Sequence, residues 1–192
     1  MRPQSAQEIL SGKNNKEAYD SEKALAVLTY ILRLLGDRGD KHQLIKMMYW
    51  IERISIIETG FPVFFDQVYS LPYGPILSQT LDNINSSNSE TSPWYGFIRT
   101  DGRMNVILVK EGDFDELSEY DETKIKETVE KFKDTCFSDR TDFFHALPEY
   151  TKVSTGERAD ISYRVILEKG AEYSTADADF ALLEIESAKL GR

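Results

Sequence analysis

Two histidines and a single cysteine are the side chains of this 192-residue sequence that most readily do nucleophilic or acid–base chemistry near neutral pH. Cys136 and His145 could form a nucleophile and its base, but no cysteine-hydrolase pattern surrounds either residue. Neither His42 nor His145 stands at metal-ligand spacing from the cysteine or from the other histidine. We interpret Cys136, at helical spacing after Phe132, as a small apolar filler of the core. We interpret His145 as a hydrogen-bonded residue at a corner of the chain before Pro148.

Other catalytic patterns are equally weak. Residues 36–41 contain two glycines, but they lack the spacing and the preceding strand of a phosphate-binding loop. The 33 acidic residues form pairs somewhere in any fold, and nothing in the sequence singles out a glycosidase-type pair. We therefore predict no catalytic residue, no metal site, no cofactor and no enzymatic activity.

The stretch 60–85 is the strongest candidate for function. It contains five aromatic residues around Leu71-Pro72-Tyr73-Gly74-Pro75, namely Phe61, Phe64, Phe65, Tyr69 and Tyr73. The two prolines restrict the backbone, and Gly74 can adopt a backbone angle that Tyr73 cannot. We expect a rigid extended passage that turns into a new helix at Pro75. Aromatic residues fill cores and anchor interfaces, so the sequence leaves both roles open, the core being the commoner one.

Helical signals flank this stretch on both sides. Asp20 and Ser21 predict the start of a helix that runs to Leu35, because leucines recur at helical spacing. A turn over residues 36–39 leads to Asp40, which with Gln43 has the form of a capping box for a second helix, Lys41–Thr59. Apolar residues wrap around most of that helix, so we expect it to be central and buried. Its one water-facing stripe is predicted to contain Lys46, Arg53 and Glu58.

The remaining chain predicts short helices and one hairpin. We expect helices over residues 75–85, 118–135, 139–146, 161–168 and 176–190, the last capped by Thr175, and a hairpin over residues 94–109 that turns at Asp101-Gly102. Residues 1–19 are predicted to be a flexible N-terminal arm, and residues 20–192 to form one domain. The predicted fold class is mainly α, a single compact helical domain with a central buried helix and a small β-hairpin, α+β by strict count.

Charge and composition limit the partners. The 23 basic and 33 acidic residues give a net charge of −10, which argues against nucleic acid because phosphate binding depends on Lys and Arg. The same charge is compatible with a basic protein partner. No apolar run is long enough to span a bilayer, so no membrane partner is expected. The single cysteine and the absence of a signal-peptide pattern predict a cytoplasmic protein, and the sequence leaves its oligomeric state open.

Five segments in order resemble the Panacea domain, or SocA-like antitoxin, family. They are Lys46-Met47-Met48-Tyr49-Trp50, then Glu58-Thr59-Gly60-Phe61-Pro62, then Leu71-Pro72-Tyr73-Gly74-Pro75-Ile76, and a later pair around residues 146–150 and 161–167. The family usually has Trp or Met where Leu71 stands and Trp where Tyr150 stands. The resemblance covers roughly residues 22–168.

The resemblance implies an α-rich, non-enzymatic domain found in bacteria and phages. It implies an antitoxin that neutralises a partner protein toxin by direct binding, the toxin being encoded by an adjacent gene. We expect the contact or motif residues to be Tyr49, Asp66, Tyr69, Pro72, Tyr73, Gly74, Pro75 and His145.

Three alternatives stay open. The protein could be a phage or prophage accessory protein that binds a defence protein, or an antitoxin that delivers its toxin to a protease. It could also be an enzyme with Tyr49, Asp66, Tyr73 and His145 around a pocket. A mimic of nucleic-acid charge is disfavoured, because acidic residues are interspersed with lysines between residues 111 and 134.

Overall fold

The structure, a computed structural model, describes residues 18–190, so most of the predicted N-terminal arm lies outside the described residues. Helix α1 spans Ser21–Leu34 and begins where the sequence predicts, because the Asp20 side chain accepts a hydrogen bond from the Lys23 backbone N–H at 3.0 Å. Just before it, the Tyr19 hydroxyl lies 3.2 Å from Thr80 Oγ1. The chain is therefore attached to the domain from Tyr19 onward.

Helix α2 spans Lys41–Thr59 and is the central helix that the sequence predicts. Asp40 accepts from the Gln43 N–H at 3.0 Å, and the helix ends at Gly60. The prediction that Lys46 and Arg53 face water is wrong, because these side chains are only 1% and 7% exposed. Neighbouring helices and a strand pack on that side of α2 as well, so both charged groups find their partners inside the protein.

One three-stranded antiparallel sheet contains the predicted hairpin. Strands β4 (Ile98–Asp101) and β5 (Asn105–Leu108) pair with each other, and β1 (Arg38–Asp40) adds to the other edge of β5. Residues 36–39, predicted as a turn, therefore turn and then continue into a strand. A strand of three residues is too short to show a period in the sequence.

The second sheet has the order β3-β2-β6 and contains the proline-rich stretch. Its strands are β2 (Val68–Leu71), β3 (Gly74–Leu77) and β6 (Ala159–Ile161). The prediction that a helix begins at Pro75 is wrong, because Pro75 lies in β3 opposite Ser70. Strand β3 is at the sheet edge, where proline is tolerated because its missing N–H breaks no ladder.

Helix α3 (Ser78–Ser86) begins only after β3. The Asp66 side chain decides this start, since it accepts hydrogen bonds from the backbone N–H groups of Gln79 at 2.9 Å and Thr80 at 2.8 Å. These are first-turn N–H groups that have no partner inside the helix. A carboxylate from an earlier part of the chain therefore caps α3, and no local pattern shows it.

The later helices are close to the predicted ones. They are α4 (Glu119–Phe132), α5 (Phe137–His145), α6 (Tyr163–Gly170) and α7 (Thr175–Leu190), with a 3₁₀ turn at Phe114–Glu116 before α4. Ser118 and Asp121 form the predicted capping interaction at α4. Ile161 belongs to β6, so α6 starts later than predicted, and the cap of α7 is Ser174, which accepts from Asp177 N–H, in place of Thr175.

The core surrounds α2, which packs against α1, α4, α5, α6, β1 and β3. Across residues 18–190 the structure contains seven α-helices and two three-stranded sheets. The predicted mainly α fold class, α+β by strict count, is confirmed. Strands β1 and β6 pair with distant parts of the chain and leave no local signal, whereas β2 and β3 form a second local hairpin where the sequence was interpreted as an extended passage before a helix.

Candidate functional site: a braced turn with an exposed aromatic face

The site is built on a tight turn between β2 and β3. Leu71 pairs with Gly74, so Pro72 and Tyr73 are the two residues of the turn, which we call the Pro72-Tyr73 turn. Gly74 has φ +100°, a conformation that favours glycine. A Cβ atom there would lie 3.0 Å from the Lys46 amine nitrogen and 3.1 Å from Phe144 Cβ. Both the backbone angle and the lack of space therefore require glycine at this position.

Side chains from distant elements hold the backbone of the turn. His145 Nε2 lies 3.0 Å from the Pro72 carbonyl oxygen, and the Tyr150 hydroxyl donates to the Leu71 carbonyl at 3.1 Å. The two rings stack on each other, with centroids 4.5 Å apart and planes 10° apart. The interpretation of His145 as a hydrogen-bonded corner residue is confirmed. The turn is rigid because the side chains of His145 and Tyr150 hold its two carbonyl groups in place.

A buried lysine lies under the turn. The Lys46 amine donates to the Pro75 carbonyl at 2.6 Å and lies 5.7 Å from the centre of the Phe144 ring. Burial lowers the pKa of Lys46 to about 7, because the charged ammonium loses its hydration. Burial and the neighbouring Lys46 charge together lower the pKa of His42 to about 4. Near pH 7, His42 is therefore largely neutral and Lys46 is about half protonated.

Above the turn, aromatic side chains reach the surface. Tyr73 is 59% exposed and Phe137 is 46% exposed, and their ring centroids lie 5.4 Å apart in an edge-on arrangement. The ring of half-buried His42 lies 4.4 Å from Phe137, and its Nε2 is 3.4 Å from the Tyr73 carbonyl oxygen. We call His42, Tyr73 and Phe137 the aromatic face. Such exposed and contiguous aromatic residues are typical of a binding surface.

Cys136 lies beside this face, and its predicted role as a core filler is wrong. The residue is exposed, and its sulfur lies 3.0 Å from Ser138 Oγ. It precedes α5, so helical spacing from Phe132 on α4 does not continue through it. The sequence interpretation also missed Phe137. Its signal was an aromatic residue in the first turn of a helix, seven residues before Phe144 and therefore on the same side of α5.

Tyr49, a predicted contact residue, lies in the interior with no exposed surface. Its hydroxyl donates to Glu149 Oε1 at 2.6 Å, and Arg53 Nε donates to the same oxygen at 2.5 Å. Burial and the Glu149 carboxylate raise the pKa of Tyr49 well above its usual range. This buried cluster connects α2 to the segment after α5, and its role is structural.

Asp66 and Tyr69 also make contacts within the protein. Asp66 has no exposed surface, caps α3 and accepts from the Thr80 hydroxyl at 2.7 Å, while burial raises its pKa. Tyr69 is half-buried, with the Arg158 guanidinium 4.4 Å above its ring. The buried positions of Tyr49 and Asp66 give no support to an enzyme pocket shared with Tyr73 and His145. Of the predicted contact residues, Tyr73 is the one that points outward into solvent.

The part of the chain that the structure describes contains neither a membrane-spanning helix nor a metal-binding cluster. Between residues 18 and 190 no helix has the length and apolar character needed to cross a bilayer. The same part of the chain contains no group of three or more His, Cys, Asp or Glu side chains placed to hold a metal ion.

Fold and site together define an α-dominant α+β domain that presents aromatic residues on a braced hairpin. The family model described as "Antitoxin SocA-like, Panacea domain" matches residues 44–150, which is more than half of the chain. The chain belongs to this family, as the resemblance of its motifs predicted. The matched segment includes the Pro72-Tyr73 turn, Lys46 and Phe137. It also includes His145 and Tyr150, whose side chains contact the carbonyl groups of the turn. Neither a curated protein nor a solved structure matches the chain.

Proposed function

We propose that this protein is an antitoxin that neutralises a protein toxin, encoded by an adjacent gene, through direct binding at the aromatic face. The observation that carries the proposal is the exposed Tyr73–Phe137 pair on a braced turn within the family-matched segment. The complex would form in the cytoplasm, where the exposed Cys136 stays reduced.

The physical support is preorganisation. Aromatic residues supply most of the binding free energy at many interfaces, and the cost of ordering them is small when they are already held. The turn under Tyr73 is fixed by His145, Tyr150 and His42. Little backbone entropy would be lost on binding. The net charge of −10 would add long-range attraction to a basic toxin.

Co-expression with the product of the adjacent gene tests the function. The expected result is a product that arrests growth alone and is harmless with this protein, with the two proteins recovered as a complex. An adjacent product that is harmless alone, or that stays toxic in the presence of this protein, contradicts the proposal. A toxin half-life that shortens when this protein is present would favour delivery to a protease over masking.

Surface variants test the binding face. Tyr73→Ser and Phe137→Ser should each weaken toxin binding by about 2 kcal/mol, or roughly 30-fold, in a calorimetric titration. Both residues are exposed, so the thermal unfolding temperature should change little. Tyr95→Ser is a matched control, because Tyr95 is 49% exposed and lies outside the aromatic face. Equal binding by all three variants would refute the assignment of this face.

A further inference from the structure

A groove opens between the first turn of α1, the loop before β4 and the segment after β5. Its volume is about 580 Å³, within the range of protein ligand sites, roughly 300–1,000 Å³. Apolar side chains line its base, among them Leu25, Pro93, Trp94 and Phe97. None of the residues of the aromatic face lines this groove, so it is a separate surface.

The walls of the groove are held by close packing. Trp94 Nε1 donates to Ser21 Oγ at 3.1 Å, which ties the loop to α1. The Gly112 N–H donates to Thr29 Oγ1 at 3.0 Å, and a Cβ on Gly112 would lie 3.0 Å from Ala26 Cα. The segment after β5 therefore lies directly against the α1 backbone. A groove with walls fixed in this way is preformed.

The rim of the groove is acidic. Three exposed carboxylates line it, those of Glu22, Glu111 and Asp113, against a single ammonium group, that of Lys110. Glu111 forms an ion pair with Arg33 at 3.1 Å, whereas no ion pair joins Glu22 or Asp113 to any described residue. The Lys110 amine lies 5.1 Å from the centre of the Phe97 ring. The chain's own Lys110 therefore occupies the face of Phe97, so a cation from a partner would bind at the carboxylates of the rim.

We propose that this groove binds a short segment of a protein partner in which a Lys or Arg adjoins an apolar side chain. The apolar side chain and the methylene stem would cover Pro93 and Phe97, and the cationic end would lie between Glu22 and Asp113. The proposal rests on the proposed function in one respect, since it names the toxin as the protein that carries this basic segment. The aromatic face and the groove would then contact different parts of the partner.

A peptide titration tests the groove without any toxin. The probe is acetyl-Leu-Arg-Leu-Lys-amide, and its acidic counterpart acetyl-Leu-Glu-Leu-Glu-amide is the control. We expect saturable binding of the basic peptide, weakened by salt, with a shift of the Trp94 indole resonance in NMR spectra and no shift for Trp50. Absence of saturation, or equal binding of the acidic peptide, overturns the proposal.

Variants that remove either the negative or the positive charges of the groove should change peptide binding in opposite directions. Glu22→Gln combined with Asp113→Asn should weaken peptide binding about tenfold, and the asparagine keeps an oxygen that can accept from Asp115 N–H. Lys110→Met removes the competing cation and should strengthen binding about threefold. A control pair outside the groove, Asp134→Asn with Glu184→Gln, removes the same charge and should leave binding unchanged. Equal losses in the two charge pairs would overturn the proposal.

The two proposals can fail separately. If the adjacent gene product is not neutralised but the basic peptide binds as described, the antitoxin function is refuted and the groove stands. If the toxin is neutralised and the Glu22→Gln, Asp113→Asn protein captures it with unchanged affinity, the groove is refuted as a toxin contact and the antitoxin function stands. A tenfold loss of toxin affinity in that variant supports both.

Discussion

The buried amine of Lys46 makes stability depend on pH in a window that can be isolated. This side chain is 1% exposed, and no ion pair involving it occurs between residues 18 and 190. Its hydrogen bond to the Pro75 carbonyl does not need a charge on the amine. Replacing it by Met keeps a flexible unbranched side chain and removes the titrating group. We therefore expect Lys46→Met to raise stability at neutral pH.

The magnitude follows from the pKa of Lys46, which burial lowers from 10.5 to about 7. Between these two pH values the unfolded chain binds a proton that the folded chain does not, so the free energy of unfolding rises with pH. The limiting slope is about 1.4 kcal/mol per pH unit. Because the folded amine is still about half protonated at pH 7, the gain between pH 7 and pH 9 is about 2 kcal/mol. At pH 7 the lowered pKa of Lys46 reduces the free energy of unfolding of the unmodified protein by about 4 kcal/mol, and this reduction is absent in the variant. After subtracting a lost hydrogen bond and imperfect packing, a gain of about 2 kcal/mol remains.

Other titrating groups are shared by Lys46→Met and the unmodified protein, and they act mostly outside this window. Burial raises the pKa of Glu52 from 4.5 to about 7, so stability falls as pH rises from 4.5 and this fall ends about one unit above pH 7. Lowering of the His42 pKa from 6.5 to about 4 gives a gain of stability with pH that is complete near pH 6.5. Burial raises the pKa of Tyr163 above its ordinary value of 10.0, so this group acts only near pH 10 and above.

Urea unfolding at pH 7, 8 and 9, followed by tryptophan fluorescence, measures the effect. The unmodified protein should gain about 2 kcal/mol over this range, and Lys46→Met should show almost none of that gain. Exposed Lys152→Met is the control and should keep the full slope. If Lys46→Met keeps the slope, or lowers stability at pH 7 by more than about 1 kcal/mol, the reasoning about the buried amine is refuted.

Two further predictions concern Gly74 in the turn and the buried Arg53–Glu149 ion pair. Gly74→Val should cost about 3 kcal/mol or more in thermal unfolding, because it adds strain at φ +100° to clashes with Lys46 and Phe144. Gly102→Val, at φ +70° but with open space around it, should lose only the strain contribution, and an equal loss would argue against the clash. Glu149→Gln should cost about 3 kcal/mol in urea unfolding, since it leaves the buried Arg53 without its counter-charge; a loss near zero would contradict a structural role for that pair.

Much of the helical content could be predicted from the sequence because helix signals are local. The Asp20, Asp40 and Ser118 caps act on N–H groups only three residues away. The hairpin that turns at Asp101-Gly102 is equally local. Strands β1 and β6 were not predicted, because each has three residues and pairs with a distant segment.

The candidate site could be predicted only in part. The motif residues pointed to the Pro72-Tyr73 turn and to Gly74, and the structure bears out the special backbone angle. Which aromatic residues reach solvent was not predictable. Tyr73 is exposed while Phe64 and Phe65 are buried, and Phe137 joins Tyr73 from a helix far along the chain.

The amino-acid sequence by itself determined most of the helices, the caps at Asp20, Asp40 and Ser118, the family motifs and the glycine of the turn, since each depends on residues within a few positions of one another. Only the tertiary structure decided that Lys46 and Arg53 are buried and that Pro75 extends a strand. The partners responsible are the Pro75 carbonyl, the Glu149 carboxylate and the Asp66 cap, all distant in sequence from the groups they bind. Burial of a charge depends on such contacts, so the pattern of a single helix could not reveal it.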